Sequence, residues 1–209
     1  MSNVNPTTKG SIAVGRGGGY TVLPAGSDGQ ELAADSFSPS GLKWVSAAGD
    51  TPIGELGTPA PNVVNTVIST IATYTLVNLA AYTLSSAIHF DMPSPGRLRY
   101  TGVSTLIFQC GCTISCSSAG PNDVTRAVLY KNGVTNLNNE FTGGIQLSQG
   151  IIEQKLGGAG DVTSSAIHVF TTLANNDYIE LGIANQTAVS ALLVKFSNIS
   201  AIGISIAPP

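Results

Sequence analysis

The chain has 209 residues, enough for one β-sandwich with an arm or for two small domains, so a substantial core is within reach. Charged residues make up 10% of it, against about 25% in an ordinary soluble domain, the net charge is −3 and mean hydropathy is positive. Nine scattered Lys and Arg argue against nucleic acid or an anionic membrane as partner, and no apolar run reaches the length of about 18 residues that a membrane span needs. A surface so poor in charge predicts that much of it is covered by copies of the chain or by a larger assembly.

Residues 1–10 are polar, contain Pro6 and lack apolar periodicity, which reads as an extended arm. Such termini stay loose unless a partner holds them. Val4, Asn5, Pro6 and Thr7 are the expected anchoring residues. The first residues lack the basic and apolar regions of a signal peptide, so synthesis in a cytoplasm is expected. Residues 11–62 hold many of the glycines and prolines, among them Gly17, Gly18, Gly19, Pro24, Gly26, Pro39, Gly54 and Pro61. The apolar pieces between them are too short to bury much area alone, which predicts a shoulder or stalk of small strands and turns. Gly15-Arg16-Gly17-Gly18-Gly19 has neither the long preceding strand nor the following helix that a phosphate loop requires.

From residue 63 to the end, runs rich in Val, Ile, Thr, Tyr and Phe alternate with turn signals. Strands are expected over 65–76, 81–84, 88–92, 97–113, 124–130, 145–155, 164–172, 177–185, 191–198 and 202–206. Asn132-Gly133 between apolar segments is a strong hairpin signal, because both residues tolerate the positive φ of a type I′ turn. Cys110, Cys112 and Cys116 are odd in number and crowded into seven positions, so they read as small apolar side chains. Zinc is the sharper alternative for them, without a fourth ligand nearby. Over 177–185, Ile179, Leu181 and Ile183 share one face, while Tyr178, Glu180, Gly182 and Ala184 share the other. Ile202, Ile204 and Ile206 likewise share a face opposite small residues, as a closely approached second surface would want. Eight to ten such strands argue for an all-β antiparallel sandwich or jelly roll, giving an arm (1–10), a shoulder (11–62) and a head (63–209).

Catalytic character is missing. His89 and His168 lie in strand-like runs, no nucleophile-elbow or zinc-protease motif occurs, and Asp123, Glu140, Glu153, Asp161 and Asp177 are scattered. No enzyme activity, cofactor or resident metal is expected, although calcium held by loop carboxylates stays open.

Residues 82–84, Phe90-Asp91-Met92-Pro93-Ser94-Pro95-Gly96-Arg97 with Tyr100, residues 130–134 and residues 176–185 occur in the order of a known family. This region resembles the trimeric C1q and tumour necrosis factor-like jelly rolls, in the form found on virus and phage particles. Residues 9–15, 23–32, Ala34-Asp35 and Gly41-Leu42-Lys43-Trp44 are similar to a module of phage tail-fibre and head-fibre proteins. Neither a collagen-like repeat nor a signal peptide accompanies them, which argues against a secreted immune role. The resemblance implies a homotrimer with one sheet of each head facing the threefold axis, for which Tyr178 is the first candidate contact, followed by Phe108 and Tyr82. It further implies a structural protein of the virion exterior, a capsid decoration or head-fibre protein contacting other capsid proteins. The alternative is a tail-fibre or spike protein that recognises a host surface glycan or protein, for which Phe141 is the candidate ligand-loop aromatic.

Overall fold

The computed structural model describes residues 8–16, 18–27, 30–46 and 51–204. The expected anchoring residues Val4, Asn5, Pro6 and Thr7 lie outside the described residues. The chain forms two compact units, Met1–Asp50 and Thr51–Pro209.

The first unit consists of two antiparallel hairpins. β1 (Ile12–Arg16) pairs with β2 (Gly19–Leu23), and β3 (Gln30–Ala34) pairs with β4 (Leu42–Ser46). Trp44 lies flat against Gly26, where a Cβ would come within 2.7 Å of the indole, and its Nε1 donates to the Pro24 carbonyl at 2.7 Å. That contact requires glycine.

The second unit is an all-β antiparallel sandwich of twelve strands. They are β5 (Ile53–Gly57), β6 (Thr75–Leu76), β7 (Thr83–Ile88), β8 (Phe90–Asp91), β9 (Leu98–Tyr100), β10 (Leu106–Ser118), β11 (Val124–Thr135), β12 (Phe141–Gln146), β13 (Ile152–Lys155), β14 (Thr163–Leu173), β15 (Tyr178–Asn185) and β16 (Leu192–Ile204). One sheet has the order β14-β10-β16-β5-β7. The other runs β12-β11-β15-β9-β8, with β13 also on β11 and β6 also on β15. The chain changes sheet at each step of β5–β6–β7–β8, from β9 to β10, from β10 to β11, and at each step of β13–β14–β15–β16. This alternation between two packed antiparallel sheets is that of a jelly roll.

The core lies between the sheets. Phe108 is wholly buried and meets Tyr100 and Phe90 edge-on, with ring centroids 4.9 and 5.5 Å away. Cys110, Cys112 and Cys116 continue the inward face of β10 as free thiols, and burial pushes Cys110 and Cys112 up to about 12. They are packing atoms, as the small-apolar reading expects.

Several expectations are corrected. β5 is an interior strand between β16 and β7, so the sandwich begins at Thr51 rather than at residue 63. Residues 65–76 contribute only Thr75–Leu76 and a single bridge from Thr66 to Leu192, with Ala72 at φ 61° between them. The two expected C-terminal strands are one, β16. Asn132-Gly133 is a bulge inside β11 rather than a turn. Only Asn132 has positive φ; its Nδ2 donates to Asp177 at 2.6 Å and its Oδ1 accepts from the Tyr178 N–H at 3.0 Å. The reversal comes later, at Asn136–Asn139.

Truncating the hub of this core should be severe. Phe108→Ala is expected to cost about 3–5 kcal/mol, read as a lowered thermal midpoint; a loss below about 1 kcal/mol would place Phe108 outside the critical packing.

Candidate self-association face

Strand alternation gives each sheet an outer face, and the two outer faces differ in chemistry. On the β12-β11-β15-β9-β8 sheet the charges are concentrated. Arg99–Asp91 (2.6 Å), Arg126–Glu153 (2.5 Å), Lys131–Asp177 (2.7 Å) and Arg97–Glu180 (2.8 Å) all lie on or beside its strands. Its middle is covered by the chain's own residues. The Phe141 ring stacks on Tyr130 at 3.9 Å between centroids, Tyr74 meets Tyr130 edge-on, and the two stacked rings lie over Gly182. Arg97 sits 4.0 Å above the Tyr178 ring, whose hydroxyl donates to the Gly133 carbonyl at 2.9 Å. Burial pushes the Glu180 carboxyl up, and Arg97 brings only part of it back.

The expected contact residues therefore have other occupations. Tyr178 is clamped within its own protomer on the charged sheet. Phe108 and Tyr82 are interior side chains, so neither offers area to a second molecule. Phe141 is half-buried against Tyr130 rather than presented to a ligand.

The β14-β10-β16-β5-β7 sheet shows the opposite pattern. Its registers align one outward row across all five strands: Phe170, Gln109, Ile202, Ile53 and Ile88. Phe170 is 63% exposed, Ile202 46% and Ile88 38%. At about 4.8 Å per strand this row is about 19 Å long. Beside it lies the pair Ile107 and Ile204. On its other side comes His168, Gly111, Ser200, Glu55 and Ser86, then Ala166, Thr113, Asn198, Gly57 and Thr83, and finally Phe196 beside Ser115. A Cβ on Gly111 would touch both Ser200 and His168, which confirms their common outward side. Among the described residues of these rows the one carboxylate is Glu55, which accepts from Asn198 Nδ2 at 2.5 Å. Lys and Arg are absent from these rows; Lys195 follows next to Phe196, at the β16 bulge.

A sheet face this wide with branched aliphatic and aromatic side chains in water costs free energy at about 25 cal/mol per Å² of apolar area. Depletion of charge beneath an apolar centre is the composition of a permanent protein–protein interface. Sequence periodicity shows that Ile202 and Ile204 share a side. It does not show that this side faces outward, because exposed isoleucines run against the usual rule.

Among the described residues, no group of three or more His, Cys, Asp and Glu is placed to hold a metal ion. No helix is long and apolar enough to cross a membrane.

The sandwich thus defines the class, an all-β antiparallel jelly roll. No family model matches the sequence, and no curated protein does. Among solved structures the chain is similar to murine APRIL (10% identity, 74% of this chain and 100% of that one, TM-score 0.45). It is also similar to the Eiger tumour necrosis factor from S. frugiperda (13% identity, 76% and 96%, TM-score 0.49) and to the PRD1 vertex protein P5 (11% identity, 76% and 100%, TM-score 0.44).

On the charged sheet, burial raises the Asp177 carboxyl, but Asn132, Lys131 and the Ala174 N–H outweigh it and hold it below 3.8. A depressed carboxylate contributes stability that is complete above its unfolded value and disappears as pH falls through its folded value. Asp177→Ala should therefore lose about 1–3 kcal/mol near neutrality, and the gap to wild type should close in thermal melts taken at successively lower pH below 3.8. A constant gap across that range would assign the loss to packing instead.

Proposed function

We propose that the protein is a homotrimeric structural component of a virion exterior, a capsid decoration or head-fibre protein attached through its N-terminal region. The observation that carries the trimer is the charge-poor outer face of the β14-β10-β16-β5-β7 sheet, with its five-strand row from Phe170 to Ile88. In a closed ring of three, these faces turn inward and the ion-paired sheets remain in water. The virion assignment rests on the resemblance of residues 9–15, 23–32, 34–35 and 41–44 to the phage fibre module. No catalytic step is needed: three arms engaging a shell together gain effective concentration, so weak contacts per arm sum to firm attachment.

Receptor binding at a fibre tip is the second reading. In the described loops of the sandwich the exposed large apolar side chains are aliphatic, chiefly Val103 and Leu137, whereas glycan sites favour exposed aromatic rings. This supports decoration over adhesion.

Sedimentation equilibrium should give three times the protomer mass for the wild-type chain, and Ile202→Asp or Phe170→Asp should give the protomer mass with the β-sheet circular dichroism retained. A wild-type protomer mass would remove the trimer. Deleting residues 1–10 should leave the trimer intact and abolish incorporation into particles; full occupancy by the truncated protein would refute attachment through the arm.

A further inference from the structure

The first unit has a peculiarity of its own: among its described side chains, at 8–15, 18–27 and 30–44, not one is buried. Two isolated hairpins are marginal in water, since independent stability takes three or more strands over a shared apolar face. Both hairpins nevertheless present such faces. On β1–β2, Ala13, Gly15, Tyr20 and Val22 lie together and are all exposed, Tyr20 by 68%. On β3–β4, Leu32, Ala34, Leu42 and Trp44 lie together, with Leu32 and Ala34 exposed. Neither face carries a charge. Phe37 at the β3–β4 turn is 96% exposed while its N–H is fixed to Asp35 Oδ1 at 3.0 Å, so an apolar side chain is held outward by a bonded turn.

We infer that the two hairpins β1–β2 and β3–β4 are stable only as a three-chain structure, in which the exposed hairpin faces of three copies supply one another's missing core. The occupant of each face is the same segment of a neighbouring copy. This rests on the trimer reading above, and the head supplies the driving term: once three heads associate, their N-terminal segments are tethered at about millimolar effective concentration, enough to assemble units too weak to do so alone. A shell protein is the competing occupant. The absence of charge on both faces, repeated in the head's outer sheet, favours a partner of the same composition.

The chain carries its own reporter, because Trp44 is its one tryptophan and lies on the β3–β4 face. In the full-length wild-type trimer, Trp44 should emit at the short wavelengths of a buried indole, and trypsin should spare Arg16 and Lys43. In the full-length Ile202→Asp and Phe170→Asp monomers, Trp44 emission should move to long wavelength and both sites should be cut, with head circular dichroism unchanged. If those variants fail to fold, dilution of wild type should shift Trp44 emission in step with dissociation. Monomers that keep short-wavelength emission and resist trypsin would overturn the inference and leave the trimer standing. A wild-type trimer already cut at Arg16 and Lys43 would also overturn it, handing the segment to a different partner. A wild-type chain that sediments as a monomer would remove both this inference and the reading it rests on.

Discussion

The register between β10 and β16 is the constraint on which the rest of the sandwich depends. These two thirteen-residue strands pair from Ile107 with Ile204 to Ser118 with Leu192, adjusted by one bulge at Ser115/Cys116. A slip of one residue would turn every side chain to the other side of the sheet. As paired, Phe108, Cys110, Cys112 and Ile114 meet Ile199 and Ala201 inside, while Ile107 and Ile202 are left outside. The same set of hydrogen bonds therefore builds the core and creates the uncovered apolar face. A change of register would alter both at once.

Charge follows the same division. The ion pairs Arg97–Glu180, Arg99–Asp91, Arg126–Glu153 and Lys131–Asp177 belong to one sheet, whose outer surface is roofed by Phe141, Tyr130 and Tyr74. The exposed pairs Arg99–Asp91 and Arg126–Glu153 contribute little stability, so their placement speaks to solubility, whereas the more buried Lys131–Asp177 and Arg97–Glu180 pairs hold the sheet's own residues in place. The opposite sheet has, among its described residues, Glu55 in the middle of its outer rows and Lys195 at the end of β16, where a solvated face would carry a denser mixture of signs. A protomer built this way is amphipathic at the scale of whole sheets, as a single helix is at the scale of side chains.

The strand content, the inward cysteines and the two-residue alternation of β15 were legible in the sequence, because each follows from local pattern. What was not legible depended on residues distant in the chain. Periodicity divides β15 into two faces, but only tertiary packing shows that Gly182 lies beneath rings from positions 130 and 141 and that Tyr178 lies beneath Arg97. Phe108 looked eligible for an interface because aromatic residues favour both interfaces and cores. The five-strand row from Phe170 to Ile88 joins segments more than a hundred residues apart, and no window along the sequence contains it. Asn132-Gly133 carried the right φ preference and the wrong inference: its left-handed residue was committed to Asp177 and Tyr178 rather than to a reversal.

Hydroxyl-radical footprinting of the native full-length protein tests the central claim most directly, because it reads the solvent contact of individual side chains. If the outer face of the β14-β10-β16-β5-β7 sheet is sealed against other copies, Phe170 and Phe196 should be protected nearly as well as the interior Phe108. Labelling of both at close to the rate seen in unfolded chain would show a face open to water and would contradict the account.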